Sequence, residues 1–437
     1  MIITYQFRIK PTPEQAATME TWLELLRRHW NYALGERLDW LNRTRSLIDR
    51  CSIISEPIGE IPARIDYYTQ QAALKETKVL FPAYKDIYCE TQQINLQRLD
   101  KAWQRWMVPD QTRKRGGRPR FKKVGELRSF GFSRVNHPKA ACFLEGSTLR
   151  IPKLGVMPVV VHRPLPDGFT PKTATIIKVA DGWYICVTLE DETVPEPMPV
   201  DNIKAVVGVD LGLKDFLTTS EGETVPIQQA YRKSQKRLAR QQRKLTRKQK
   251  GSKNAQKQKN LVARIHQRIQ RQRKDGQYKI ANLLVKTYDL IAVEALNIKG
   301  LARTKLAKSI LDAAWGQFIT ILEAVAAKRG VRVVKVNPYG TSQDCSGCGV
   351  KVPKDLSIRT HQCHKCGLEL DRDINAAVNI LERALQAVGL IASACGGFDV
   401  SQPVKQEAPS VKRRSPRYTR KGITGENVTN VALDFTF

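Results

Sequence analysis

Four cysteines constrain this chain more than any other feature. Cys345, Cys348, Cys363 and Cys366 are spaced C-x2-C-x14-C-x2-C. Two such knuckles can close around one tetrahedral ion, and the spacing is close to that of a zinc ribbon. His361 and His364 flank the second knuckle and are capable ligands, but four thiolates already fill the shell. A shell of four thiolates leaves no position for water, so one structural zinc is expected here and the chemistry must lie elsewhere. The remaining five of the nine cysteines (Cys51, Cys89, Cys142, Cys186, Cys395) are scattered singly, which fits a reducing compartment better than a disulfide framework.

The chemistry is expected from three carboxylates. Asp210 directly follows the apolar run AVVGV, and Glu294 follows LIAV. A carboxylate placed in such a strand is costly unless it is paired or binds metal. Two strands that each deliver an acid after an apolar run can present both at one edge of a sheet. Asp373 stands seven residues past the last cysteine, where DINAA opens a helix. If that helix packs on the same edge, three acids meet. Each has an ordinary alternative: a helix cap or first-turn acid for Asp373, a turn residue for Asp210, a lysine partner for Glu294. Together, in strand–helix order, they favour a site for two Mg2+ ions, which prefer carboxylate oxygen and serve phosphodiester hydrolysis.

Charge points to the substrate. The chain has 437 residues and a formal net charge of +31, which calls for a polyanionic partner, nucleic acid before membrane. Residues 231–274 hold eighteen Lys or Arg and no acid. Leu238, Leu245, Leu261, Ile265 and Ile269 recur there at helical spacing, and GSKN at 251–254 divides the run. This predicts a hairpin of two basic helices along a phosphate track, with Arg232, Lys233, Lys236, Arg237, Arg240, Arg243, Lys244 and Arg247 as candidate contacts. The connector RKRGGRPRFKK adds Arg115, Arg118, Arg120 and Lys122. Trp30, Tyr32, Trp103 and Trp106 lie nearby; they are able to stack on bases, although core packing explains most of them. No apolar run of membrane-spanning length and no signal peptide stand out, so the expected location is the cytosol.

The pattern along the chain is modular. Ile3, Tyr5, Phe7 and Ile9 alternate with polar residues as a strand. Helical patterning from Pro13 continues with breaks to about residue 107. From about 128 to 190, short strands separated by Gly, Pro and Asp suggest a small barrel or sandwich, with the first strand as a member and the helices as an insertion. PEPMPVDN, 195–202, reads as a linker. Beyond it strands alternate with helices as in a mixed α/β sheet, with LDAAWGQFITILEAVAAKRG as one amphipathic helix closed by Gly330. The tail from about 396 lacks periodicity and is expected to be disordered.

GVDLG, then VEAL with NIKG, then the CxxC–CxxC module leading into DRDINAAVNI, resembles the TnpB family of transposon-associated RNA-guided DNA endonucleases, relatives of type V CRISPR effector nucleases. The likeness spans roughly residues 204–395, and YQFRIKPTPEQ resembles the family's start. It implies a multidomain α/β protein: a RuvC-like (RNase H fold) nuclease domain at 201–340 and 370–395 with an inserted zinc ribbon at 341–369. A β-barrel at 1–12 and 125–195 would carry an inserted helical recognition domain at 13–124, and a basic tail would occupy 396–437. Asp210, Glu294 and Asp373, rather than Asp371, match the family's catalytic acids, and the four cysteines match its zinc ligands. The implied cofactors are two Mg2+, one Zn2+ and a guide RNA, and the implied substrate is double-stranded DNA beside a short adjacent motif. A monomer within a ribonucleoprotein, in a prokaryotic cytoplasm and associated with the nucleoid, is the expected form. Gln92, Gln93 and Gln97 are chemically able to read adenine edges. Rival readings are a compact type V CRISPR effector, a guided regulator that binds without cutting, and a recombinase; no nucleophilic Ser or Tyr in a recognisable setting favours the last.

Overall fold

The computed structural model describes residues 2–45, 63–165, 169–190, 194–355 and 358–390. The expected disordered tail, Cys51 and Cys395 lie outside the described residues. Two sheets organise the chain, each with its own core.

The first is assembled around β1 (Ile2–Ile9). Its alternation buries Phe7 and Ile9 and leaves Gln6 and Arg8 outside. Among the described residues, four α-helices follow before the sheet resumes: α1 (Pro13–Arg45), α2 (Tyr67–Ala72), α3 (Leu74–Leu80) and α4 (Cys89–Met107). The strands are then β2 (Ser129–Phe132), β3 (Phe143–Glu145), β4 (Thr148–Ile151), β5 (Gly155–Val160), β6 (Thr170–Val179) and β7 (Gly182–Glu190). They form one seven-stranded sheet in the order β2-β6-β7-β1-β5-β4-β3, so the strand earliest in sequence is central and the helices are spliced in after it. Every ladder is antiparallel. The edge strands β2 and β3 share no ladder; a single bridge, Val135–Cys142, joins the residues beyond one and before the other. Phe130, Phe132, Ile176, Ile185 and Val187 pack with Met19, Trp22 and Leu26 of α1 into one apolar core. A separate seam joins α1 to α4 through Trp30, Leu34, Leu96, Leu99 and Trp103.

The second sheet has five strands: β8 (Val206–Asp210), β9 (Asp215–Thr219), β10 (Thr224–Pro226), β11 (Leu290–Glu294) and, later, β12 (Arg332–Val336). Their order is β10-β9-β8-β11-β12. The first three form an antiparallel meander, and β11 lies parallel to both β8 and β12. This is a mixed sheet, as the alternation of strands and helices led one to expect. Between β10 and β11 run the two basic helices, α5 (Ala230–Thr246) and α6 (Lys253–Thr287). After β11 come α7 (Ile298–Leu301), α8 (Ala307–Ala313) and α9 (Trp315–Ala327). The cysteine module carries a small hairpin, β13 (Thr360–Gln362) with β14 (Glu369–Asp371), and leads straight into α10 (Arg372–Ala387).

Strand parity sorts the layers. Val207, Val209, Ile291 and Val293 face α6 and α9. Val206, Leu290 and Ala292 face Ile380 and Ala384 of α10.

Several expectations need correction. The helix expected as one piece over 311–330 is two, because Ala314 sits in the left-handed region at φ 54°. Alanine favours a helix locally, so the break is imposed by tertiary packing. The span Ala307–Ala327 is long and apolar enough to cross a membrane by length and composition alone, but Ile310, Phe318 and Leu322 on it are buried in the sheet core, as in a core helix. The second basic helix does not stop near 274 but continues to Thr287, carrying Ala281, Leu284 and Val285 into that core. In the hairpin seam Leu238, Ile265 and Ile269 are buried, whereas Leu261 is exposed and Leu245 only half-buried.

Candidate active site and nucleic-acid interface

The register of two parallel strands sets up the acids. Val209 on β8 pairs with Val293 on β11, so the next residues along, Asp210 and Glu294, end adjacent strands at the same level. Both share the parity of the residues that face α10. The helix can approach because residue 208 is glycine: a Cβ there would lie 2.0 Å from the Ala377 carbonyl oxygen and 2.9 Å from the Leu381 Cβ. Asp373 lies one turn before Ala377, at the α10 N-terminus. Its neighbour Asp371 is the capping residue, accepting a hydrogen bond at 2.8 Å from the Asp373 N–H. The capping role that was an alternative for Asp373 therefore belongs to Asp371.

Electrostatics bear out the crowding. Burial first, then the charges of Glu294 and Asp373, push Asp210 well above the usual carboxylate range, against an opposing pull from Arg372. Burial also raises Glu294, while a hydrogen bond from Thr341 and the charge of Arg383 act the other way. Asp373 is held by Arg372, whose Nε and Nη2 reach Oδ1 at 3.1 and 3.0 Å, and by Arg359, 3.4 Å from Oδ2. Two buried carboxylates thus end adjacent strands, and the charges of Glu294 and Asp373 both reach Asp210, which raises the cost of ionising it.

One polar network was not visible in the sequence. Thr341 donates to Glu294 Oε1 at 2.6 Å. The Thr341 carbonyl accepts from Asn379 at 2.8 Å, and the Asp344 carbonyl accepts from both Asn375 and Asn379. Arg383 donates to the carbonyls of Asn337 and Tyr339 and to the Asp344 carboxylate. Asn375, Asn379 and Arg383 follow each other at i+4 on one face of α10, and that face grips the loop leading into the cysteine module. Their spacing in NAAVNILER is the only signal the sequence carried.

The module itself is compact. All four Sγ atoms lie within 4.8 Å of one another, with Cys345–Cys366 at 3.6 Å and Cys348–Cys363 at 3.5 Å. Thiolates bonded to zinc at about 2.3 Å would stand about 3.8 Å apart at the corners of a tetrahedron, so the residues fit that ion. Backbone N–H groups of Cys366 and Lys365 pull the Cys363 thiol down to about 6. The two histidines stay apart: His364 is exposed, and the buried His361 ring meets the Lys354 amine through Nδ1.

The sequence is also similar to known families and proteins. Residues 184–305 match the family described as "Probable transposase", OrfB_IS605; residues 315–380 match the Cas12f1-like TNB domain, and residues 1–46 a helix-turn-helix domain family. A Streptomyces pristinaespiralis protein named as an RNA-guided DNA endonuclease is 31% identical over 428 residues, covering 96% of this chain and 97% of its own length. The chain belongs to the TnpB family. InsQ of Escherichia coli K12, named likewise, is 29% identical over 92% of this chain and 96% of its own length. Among solved structures, a Cas12f1–sgRNA–target DNA complex covers 84% of this chain and 83% of that one, with a TM-score of 0.49 and 12% identity.

In this TnpB-family chain the basic hairpin is pinned at two points. At its base, Asp312 of α8 accepts from the N–H groups of Tyr231 and Arg232 at 2.9 and 3.1 Å, and from Arg273 at 3.3 Å. At mid-length α6 clasps the β6–β7 turn: Arg264 donates to the Ala180 carbonyl, Gln267 and Arg271 to the Asp181 carboxylate. Arg232, Lys233, Lys236, Arg237, Arg240, Arg243, Lys244 and Arg247 are all exposed along α5 and its end, although Arg232 also donates to Ser309. The connector differs from expectation in one residue. Arg115 and Arg118 are exposed, but Lys122 is half-buried with its amine 4.5 Å from the Trp30 ring centre, and its backbone is held by Asn31. Arg120 is likewise exposed, with its carbonyl accepting from the Trp30 indole. Trp30 and Trp103 are core residues, whereas Tyr32 is exposed. Gln92 cannot read a base, because it is buried and donates to the Tyr84 carbonyl at 2.6 Å. Gln97 reaches the Tyr67 hydroxyl at 3.2 Å.

Proposed function

We propose that this chain is an RNA-guided DNA endonuclease that carries a guide RNA, opens double-stranded DNA beside a short adjacent motif and cuts it at Asp210, Glu294 and Asp373. The observation that carries the reading is the side-by-side placement of Asp210 and Glu294 on two parallel strands, under the helix that bears Asp373. Mg2+ ions held by these acids would supply the charge that activates water and stabilises the leaving oxygen of a phosphodiester. Thr341 orients Glu294 and leaves its second oxygen for a cation. The cysteine module holds zinc as a brace and has no open position. It fixes the loop that Asn375, Asn379 and Arg383 hold, and through them the angle at which α10 offers Asp373.

The basic hairpin and the connector arginines would carry the nucleic-acid backbone, with sequence read by base pairing. The seven-stranded sheet would act as the barrel domain, with one bridge instead of a ladder between its edges, and α1–α4 would serve as the recognition insertion. The chain works as a monomer within its ribonucleoprotein, in a prokaryotic cytoplasm.

The test is to express the protein with its flanking native DNA and sequence the RNA that copurifies. The expected RNA has a fixed scaffold and a variable end drawn from the flank, and it directs Mg2+-dependent cutting by wild type but not by Asp210→Ala, which still retains the RNA. Random RNA at stringent salt, or undiminished cutting by Asp210→Ala, overturns the proposal.

A further inference from the structure

The two basic helices do not close along their whole length. Between α5 and α6 lies a cavity of about 550 Å3. Lys233 and Arg237 line it from α5, Arg264 and Arg268 from α6. Each pair is spaced i, i+4, so two cations face two across the gap. No carboxylate is among the residues lining it. The nearby acids are committed elsewhere: Asp312 to the α5 N-terminus and Arg273, Asp181 to Gln267 and Arg271.

A plain phosphate track would need only these cations. This cavity has two further kinds of wall. Leu261 and Ile265 give it an apolar side, and Leu261 is 38% exposed there. Ser234, Gln228 and Gln272 add neutral donors and acceptors. Gln228 is seated by Gly276 of α6, where a Cβ would fall 2.9 Å from its Oε1. Cations for an anion, an apolar face for stacking and amides for a polar edge together describe a nucleotide. The volume lies within the ordinary range for a small-ligand site.

We propose that this cavity takes one extruded nucleotide of the bound strand. Its flanking phosphates lie between Lys233 and Arg237 on one side and Arg264 and Arg268 on the other. The base packs on Leu261 and Ile265, with Gln228 and Gln272 at its edge. Extruding a base from a duplex costs several kcal/mol and from a single strand little, so the occupant is single-stranded or sits at a junction. The inference rests on the RNA-guided reading and adds a subsite to it; the strand is either the guide RNA or the displaced DNA.

Two variants separate a pocket from a track. Ser234→Trp fills the cavity and keeps all four cations, while Leu261→Ser removes the apolar wall at an exposed position that the core does not need. Arg268→Gln removes one cation. The probes are the copurified RNA and a single-stranded DNA of the same sequence, both fluorescein-labelled, titrated by anisotropy over a salt series. Ser234→Trp and Leu261→Ser are expected to weaken binding by about tenfold, the worth of one stacked base, without changing the salt slope. Arg268→Gln is expected to reduce that slope by about one. Loss confined to RNA, or confined to DNA, identifies the strand that enters. Wild-type affinity in both filling and wall variants, with the slope change in Arg268→Gln intact, overturns the pocket while leaving the guided reading standing. Failure of the wild-type protein to bind either probe overturns both.

Discussion

Gly208 lies directly beneath Ala377: a Cβ on the first would come within 2.0 Å of the carbonyl oxygen of the second. That contact sets the distance between the sheet and the helix that bears the third acid.

Gly208→Ala should therefore lift α10 off β8. Overpacking of this kind costs about 1–3 kcal/mol, and the displaced Asp373 should lower cutting far more than it lowers RNA binding. Thermal melts and cleavage rates on one preparation check this. A variant that melts normally and cuts normally would mean that α10 tolerates the shift.

Thr341→Val keeps the shape and removes the hydroxyl that donates to Glu294. A hydrogen bond to a charged group is worth about 1.5–3 kcal/mol, so cutting should fall by about tenfold or more. The Mg2+ concentration for half-maximal rate should rise with it, and RNA retention should not change.

Asp210 and Glu294 make stability depend on pH in a defined direction. Burial raises both, and repulsion from Glu294 and Asp373 raises Asp210 further, so the folded protein holds these protons more tightly than the unfolded chain. Their favourable contribution is complete below the ordinary carboxylate range and is lost as pH rises through the raised values. In EDTA, wild type should lose stability relative to Asp210→Asn as pH rises above the ordinary carboxylate range. Added Mg2+ should flatten the difference. A gap that is constant with pH would show that the acids are not coupled as described.

One zinc per chain should be measurable by elemental analysis, and Cys345→Ser should lose it. Without the ion the loop gripped by Asn375 and Asn379 loosens. Cutting should fall although no acid has been altered, and hydrogen exchange should rise across residues 337–346 and the start of α10. Unchanged exchange there would separate the module from the site.

Asp312→Ala removes the acceptor at the α5 N-terminus and leaves Arg273 without that partner. A lost cap costs about 0.5–2 kcal/mol. The hairpin should fray at its base, seen as faster exchange at Tyr231 and Arg232, and RNA binding should weaken with little change in melting of the sheet core.

What the sequence disclosed depended on range. Asp210 and Glu294 were legible because each ends an apolar run, and a strand alternates its faces whatever lies around it. The cysteines were legible because a metal imposes spacing. Gly208 was not, because its reason is the carbonyl of a residue far along the chain. Thr341, Asn375 and Asn379 were missed for the same reason: their partners are set by tertiary approach. Ala314 and Gln92 misled in the opposite sense. An alanine in a helical stretch gives no hint of a left-handed break, and a glutamine beside two others on α4 looks available until it is found buried against a carbonyl. Leu261 read as a seam residue by periodicity, but the hairpin opens at that point instead of closing.

The order of elements along the chain has a consequence for synthesis. The cations of α5 and α6 are made before the cysteine module, and Asp373 comes only after the module. A nascent chain is thus a polycation able to find RNA before it owns a complete set of acids. If the acids cut as proposed, cutting is the last property this polypeptide acquires, and it would wait on the capture of a metal that takes no part in the cut.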